Sequence, residues 1–120
     1  MKTNLITDDT QSEVALMSSI MQRMGYQVLS ALDGETCLRL ARERQPDLIL
    51  LDVVMPALDG FQTCRRLKRD DTTAHIPVVV VSTKDQDTDK FWAERQGASG
   101  YVTKPFSPET LTATVERFLS

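Results

Sequence analysis

At 120 residues, 41% hydrophobic and 26% charged, the chain has the length of one domain and the composition of an ordinary globular protein. A formal net charge of −3 gives no electrostatic footprint for nucleic acid, and no apolar run approaches the roughly 18 residues that a membrane insertion needs. The first residues lack the apolar segment of a secretory signal, and Cys37 and Cys64 have no metal-ligand spacing, so a cytoplasmic protein with two reduced, buried or half-buried thiols is expected.

Strand and helix then alternate along the chain. Residues 4–7 read as a short strand ending on Asp8-Asp9, followed by a helix from about residue 11 to 24 with Val14, Met17, Ile20, Met21 and Met24 at helical spacing. Gly25 stops it. Residues 26–30 are a second strand, and Asp33-Gly34 opens a second helix carrying Cys37, Leu38 and Ala41. After Pro46 comes the apolar run Leu48-Ile49-Leu50-Leu51, the pattern of a strand buried on both faces of a parallel sheet. It ends on Asp52, after which Pro56 and Asp59-Gly60 force a loop. A third helix from about 59 to 69 buries Phe61, Cys64 and Leu67. Pro77 introduces the most apolar strand, 78–81, which ends on Ser82-Thr83. A fourth helix, about 86–96, is stopped by Gly97, and a fifth strand, 99–103, ends on Lys104-Pro105. The last helix, about 108–119, sets Leu111, Val115, Phe118 and Leu119 on one face.

Five strands alternating with five helices imply an α/β, flavodoxin-like (βα)5 three-layer sandwich, its parallel sheet in the order 2-1-3-4-5. In that order the strands ending at Asp8-Asp9 and at Asp52 are neighbours, and Ser82 and Lys104 arrive at the same edge. Any one of these residues alone fits a turn or a helix cap as well as chemistry. Together they suit one chemistry. Three crowded carboxylates repel until a divalent cation joins them, and hard oxygen ligands favour Mg²⁺. With Lys104 opposite, the site suits a phosphoryl group: Asp52 as the nucleophile, Lys104 neutralising its oxygens and the Ser82 hydroxyl donating to one of them.

The chain resembles the response-regulator receiver domains of two-component signalling, over essentially its whole length and with no output domain expected. The resemblance rests on Asp8-Asp9, on Asp52-Val53-Val54-Met55-Pro56, on Ser82 placed 30 residues after Asp52, and on Lys104-Pro105-Phe106 placed 22 after Ser82. It implies that Asp52 is the phosphoacceptor, that Asp8, Asp9, Asp52 and the Val54 backbone carbonyl hold Mg²⁺, and that Ser82 and Lys104 contact the phosphoryl group. It also implies a cis Lys104-Pro105 bond and a switch in which Tyr101 turns inward as the Ser82 hydroxyl moves toward the phosphate. The stretch from Ser82 to Lys90, with Arg95-Gln96-Gly97-Ala98 and Gly60-Phe61-Gln62, is similar to the single-domain regulators of type IV pilus motility, the PilH-like and PilG-like receivers. That likeness implies a CheA-like histidine kinase as phosphodonor and an effector protein docking on the face of the fourth helix, fifth strand and fifth helix. Small phosphodonors are expected to serve as well, making the chain a self-modifying switch and not a conventional enzyme. Val54 and Lys84, the two positions that tune phosphate loss in this family, are apolar and cationic here, which implies a long-lived aspartyl phosphate.

Other readings stay beside this one. A phosphate sink or phosphorelay intermediate would have the same site without an effector. A hydrolase of the haloacid-dehalogenase type also uses an aspartyl nucleophile but expects an acid where Val54 stands, and a flavodoxin would not tolerate Asp8-Asp9 against its phosphate. His75 reads as a solvent-facing loop residue, and Arg65-Arg66-Leu67-Lys68-Arg69 as a solvated helix end. Phe91 reads as the core residue of its pair, with Trp92 open to either core or partner contact.

Overall fold

The computed structural model describes residues 1–119, and they form ten elements. In chain order these are β1 (Thr3–Thr7), α1 (Gln11–Arg23), β2 (Gln27–Ala31), α2 (Gly34–Arg44), β3 (Leu48–Leu51), α3 (Gly60–Arg69), β4 (Val78–Ser82), α4 (Asp87–Arg95), β5 (Gly100–Thr103) and α5 (Pro108–Leu119). The strands pair in parallel in the order β2-β1-β3-β4-β5, as expected from the alternation. The register sets Thr7 beside Leu51, so the residues that follow, Asp8 and Asp52, leave adjacent strands together.

Each face of the sheet has its own core. Leu5, Ile49, Leu51 and Val78 point to one side, where Leu38 of α2 and Leu67 of α3 cover them. Ile6, Leu50, Val79 and Val81 point to the other, under Met17 and Met21 of α1 and Leu111 and Val115 of α5. Every residue of β3 and β4 is buried, which is why those strands read as unbroken apolar runs.

Local chemistry sets the boundaries. Gly25, at φ 89°, ends α1 in a Schellman turn: its own N–H bonds the Gln22 carbonyl at 3.0 Å and the Tyr26 N–H reaches back to Met21 at 3.2 Å. Tyr26 therefore belongs to the helix exit, and β2 begins one residue later than the sequence pattern suggests. Asp33 caps α2 by accepting the Thr36 N–H at 2.7 Å, and Asp59 with Gln62 closes a capping box on α3. Pro108 opens α5 behind Ser107, whose Oγ accepts the Thr110 N–H at 3.1 Å. The Lys104-Pro105 bond is cis.

One packing expectation fails. Phe91 is not a core residue: it is 52% exposed and Trp92 is 53% exposed, the two rings meeting edge to face on the outside of α4. Ala93 is the buried anchor of α4, packing with Val53 and Val80, and a helix held by so small a side chain leaves its aromatic neighbours in solvent. Phe61, expected buried, is only partly so and packs on this same small cluster.

Candidate functional site

The carboxyl ends of β1, β3, β4 and β5 deliver five of the expected residues, Asp8, Asp9, Asp52, Ser82 and Lys104, to one edge. Asp8 is fully buried, with its N–H bonded to the Ala31 carbonyl at 3.1 Å and its Oδ1 accepting the Thr10 N–H at 3.0 Å. The second oxygen of Asp8 is left to face the cleft, where it accepts from Lys104 Nζ at 2.6 Å. Asp52 is tied to β1 through its N–H, which bonds the Thr7 carbonyl at 3.0 Å. Its Oδ1 accepts the Val54 N–H at 3.1 Å, and its Oδ2 lies 3.6 Å from Lys104 Nζ. Asp9 is exposed at the rim. One oxygen from each of Asp8, Asp9 and Asp52 lies within 4.8 Å of the others, a cation-sized group of hard ligands that suits Mg²⁺.

The loop that carries Asp52 is held from behind by α3. Gly60, the first residue of that helix, donates its N–H to the Val53 carbonyl at 3.1 Å. A Cβ at this position would overlap the Asp52 carbonyl oxygen and Val53 Cα. Only a residue without a side chain lets the helix approach the nucleophile's own backbone this closely.

Lys104 is the cation of the site, and its ammonium is nearly closed off. The sequence reading sets it against Asp52, but Asp8 is its nearest partner. A third carboxylate also reaches it: Glu13, in the first turn of α1, has Oε1 3.5 Å away. Sequence reasoning does not single out Glu13, because acids in a first helical turn are commonplace. Its one signal is that its helix starts directly behind Asp8-Asp9 and so shares their edge.

These charges shift one another's proton affinities. Burial raises the pKa of Asp52 above the ordinary 3.8; the Val54 N–H and the Lys104 charge work against that rise, and Asp8 adds to it. Burial works to lower the pKa of Lys104, but the Asp8 hydrogen bond and the charges of Asp52, Asp8 and Glu13 outweigh it and hold the ammonium above its ordinary value.

Ser82 is fully buried, and its main-chain carbonyl accepts the Lys104 N–H at 2.8 Å. Its Oγ accepts the Lys84 N–H at 3.2 Å, and the Lys84 carbonyl in turn accepts the Tyr101 hydroxyl at 2.7 Å. The backbone of Lys84 thus links Ser82 to the Tyr101 hydroxyl, through its N–H on one side and its carbonyl, in the next peptide group, on the other. The side chains of Val54 and Lys84 are exposed at the mouth of the site. His75 is exposed, and the residues Arg65–Arg69 lie on α3, outside the acid cluster.

A family model described as response regulator receiver domain matches residues 5–116. The chain is 47% identical over 116 residues to protein PilH of Pseudomonas aeruginosa, spanning 97% of this chain and 96% of that one. Response regulator PleD of Caulobacter vibrioides and the phosphate regulon regulator PhoB of Pseudomonas aeruginosa are longer relatives, of whose length the chain spans 24% and 52%. Among solved structures, chemotaxis protein CheY4 of Vibrio cholerae superposes with a TM-score of 0.93 at 32% identity, covering 98% of both chains. The receiver domain of the sensor histidine kinase PA1611 from Pseudomonas aeruginosa, solved with magnesium coordinated in its cleft, has the same fold, with a TM-score of 0.91 at 23% identity over 98% of this chain and 97% of that one.

Proposed function

The chain belongs to the response regulator receiver domain family, and on that premise we propose that its acid-lined edge is a phosphoacceptor site with Asp52 as the nucleophile. An Asp52 carboxylate oxygen attacks the phosphorus of a phosphohistidine on a histidine kinase. The new P–O bond forms as the P–N bond breaks, and the imidazole leaves to take up a proton. Asp8, Asp9, Asp52 and the Val54 carbonyl would hold Mg²⁺, which when bound screens the acids from the incoming anion and neutralises charge on the phosphoryl oxygens. Lys104 supplies the protein's own positive charge to those oxygens, and the Ser82 hydroxyl a hydrogen bond. The observation that supports this reading most strongly is a single buried ammonium shared by carboxylates from three elements, 2.6 Å from Asp8 and 3.6 Å from Asp52.

The switch follows from the Ser82–Lys84–Tyr101 connection. When the Ser82 hydroxyl turns to the phosphoryl group, the Lys84 N–H loses its acceptor, the Lys84 backbone is freed to shift, and Tyr101, which donates to the Lys84 carbonyl, moves with it. The face of α4, β5 and α5, where Lys90 and Glu94 of α4 line a cavity with Tyr101, then changes shape for an effector protein. Identity of 47% to PilH supports a role in pilus-based motility, with a CheA-like kinase as donor and the cytoplasm as the place of action. The hydrolase alternative gains nothing from the structure, since Val54 offers neither an acid nor a base.

Treatment with acetyl phosphate and Mg²⁺, followed by intact-mass spectrometry, tests the assignment. The native protein gains the mass of one phosphoryl group and Asp52→Ala gains none. Full labelling of Asp52→Ala would place the acceptor elsewhere.

A further inference from the structure

Glu13 takes no part in the transfer just described, yet it reaches the group that does. Lys104 has three N–H donors, and among the described residues only one is used in a hydrogen bond, to Asp8 at 2.6 Å. The ammonium lies almost equally far from Glu13, at 3.5 Å, and from Asp52, at 3.6 Å, both too long for good hydrogen bonds. It is an ion poised between two partners. Glu13 also stands outside the group of acids that can hold a cation, which is Asp8, Asp9 and Asp52. A cation there draws on the charge of Asp8 and Asp52 and leaves the charge of Glu13 whole. Glu13 then becomes the strongest remaining counter-ion of Lys104. Stabilisation by the α1 N-terminus accounts for an acid in this turn, but not for its reach into the cleft.

We propose that Glu13 is a positioning residue that competes with the phosphoryl group on Asp52 for the Lys104 ammonium, and so limits both how readily the site is phosphorylated and how long the phosphoryl group stays. The proposal rests on the reading of Asp52 as phosphoacceptor. Glu13 is one third exposed and solvent screens its charge, so the effect is a tuning and not an on–off requirement.

Glu13→Gln keeps the side-chain length and removes the charge. With Mg²⁺ and limiting acetyl phosphate, the variant is phosphorylated about twofold faster, and its phosphoryl group is lost about twofold more slowly, the two together reaching the upper range for a partly exposed ion pair. Glu13→Asp, one methylene shorter, falls between. Calorimetric Mg²⁺ affinity changes less than about twofold, because Glu13 is not a ligand. The deciding arm is a Lys104→Met background, in which Glu13→Gln has no effect. If its effect persists without the ammonium, Glu13 is a plain repulsive charge and the proposal is overturned; an unchanged rate and lifetime in the native background overturn it equally. Should Lys104→Met react too slowly to time, titration of the same four proteins with beryllofluoride and Mg²⁺, followed by amide NMR shifts, gives the cycle at equilibrium. Failure of the native protein to gain phosphoryl mass would overturn the Asp52 reading and this proposal with it, and is told apart because no variant need be made.

Discussion

Asp52 ends an apolar strand and is harder to ionise there than in water. Burial raises its pKa, with the Val54 N–H and Lys104 offsetting only part of the rise. A carboxyl group whose pKa is higher in the folded than in the unfolded chain stabilises the fold while protonated, and that contribution is lost as the pH rises through the folded value. At neutral pH the charged Asp52 therefore weighs against folding. Asp52→Asn is expected to melt above the native protein near neutrality, with the gap closing as the pH falls below the ordinary 3.8. Lys104 is not orphaned by the change, because Asp8 and Glu13 remain beside it. Scanning calorimetry across that pH range decides the sign, and a lower melting temperature at neutral pH would refute it. A second cost sits one residue before Asp8. Among the described residues, Thr7 Oγ1 is buried with no hydrogen-bond partner beyond a weak contact with the Cys37 thiol. Thr7→Val has the same shape without that hydroxyl, and denaturant unfolding is expected to show about 1 kcal/mol of added stability.

Among elements, α3 meets the loop that leaves β3 at Gly60, directly behind the site. A methyl group on Gly60 meets backbone at Asp52 and Val53, and backbone cannot swing aside as a long side chain would. Gly60→Ala should cost about 2 kcal/mol through overpacking and slow phosphorylation by acetyl phosphate as the Asp52 loop is pushed out of place. Equal stability and rate in the variant would show that the loop yields freely. The strand ends that carry the site were legible in the sequence, because β3 and β4 are apolar on both faces and stop sharply at Asp52 and Ser82. The shifted start of β2 was not, since Tyr26 has the side chain of a strand residue but spends its N–H on the helix before it. The outward ring of Phe91 was not legible either. With Ala93 as the buried anchor, periodicity gives α4 no strong face, and tertiary packing decides. Glu13 was hidden for a third reason: its role depends on a lysine 91 positions away, a contact that only the folded sheet creates.

For the whole molecule, the placement of the acids makes stability and cation binding one question. Folding brings oxygens of Asp8, Asp9 and Asp52 within 4.8 Å, and their repulsion opposes the folded state. A cation that binds this group and not the unfolded chain stabilises the protein by mass action, about 2.7 kcal/mol at about 100 times its dissociation constant. In a chain of this size that is a rise of about 10 °C in melting temperature. Asp9→Asn should lose most of the rise, since Asp9 is exposed at the rim and its loss removes a ligand without opening the core. Glu13→Gln should keep it, because Glu13 touches Lys104 and stands apart from the three ligands. Thermal melts of the three proteins with and without Mg²⁺ separate two physical pictures. A rise lost in Asp9→Asn alone means that a defined set of oxygens holds the ion; a rise lost equally in both means that the ion merely collects in the net negative field at this end of the sheet.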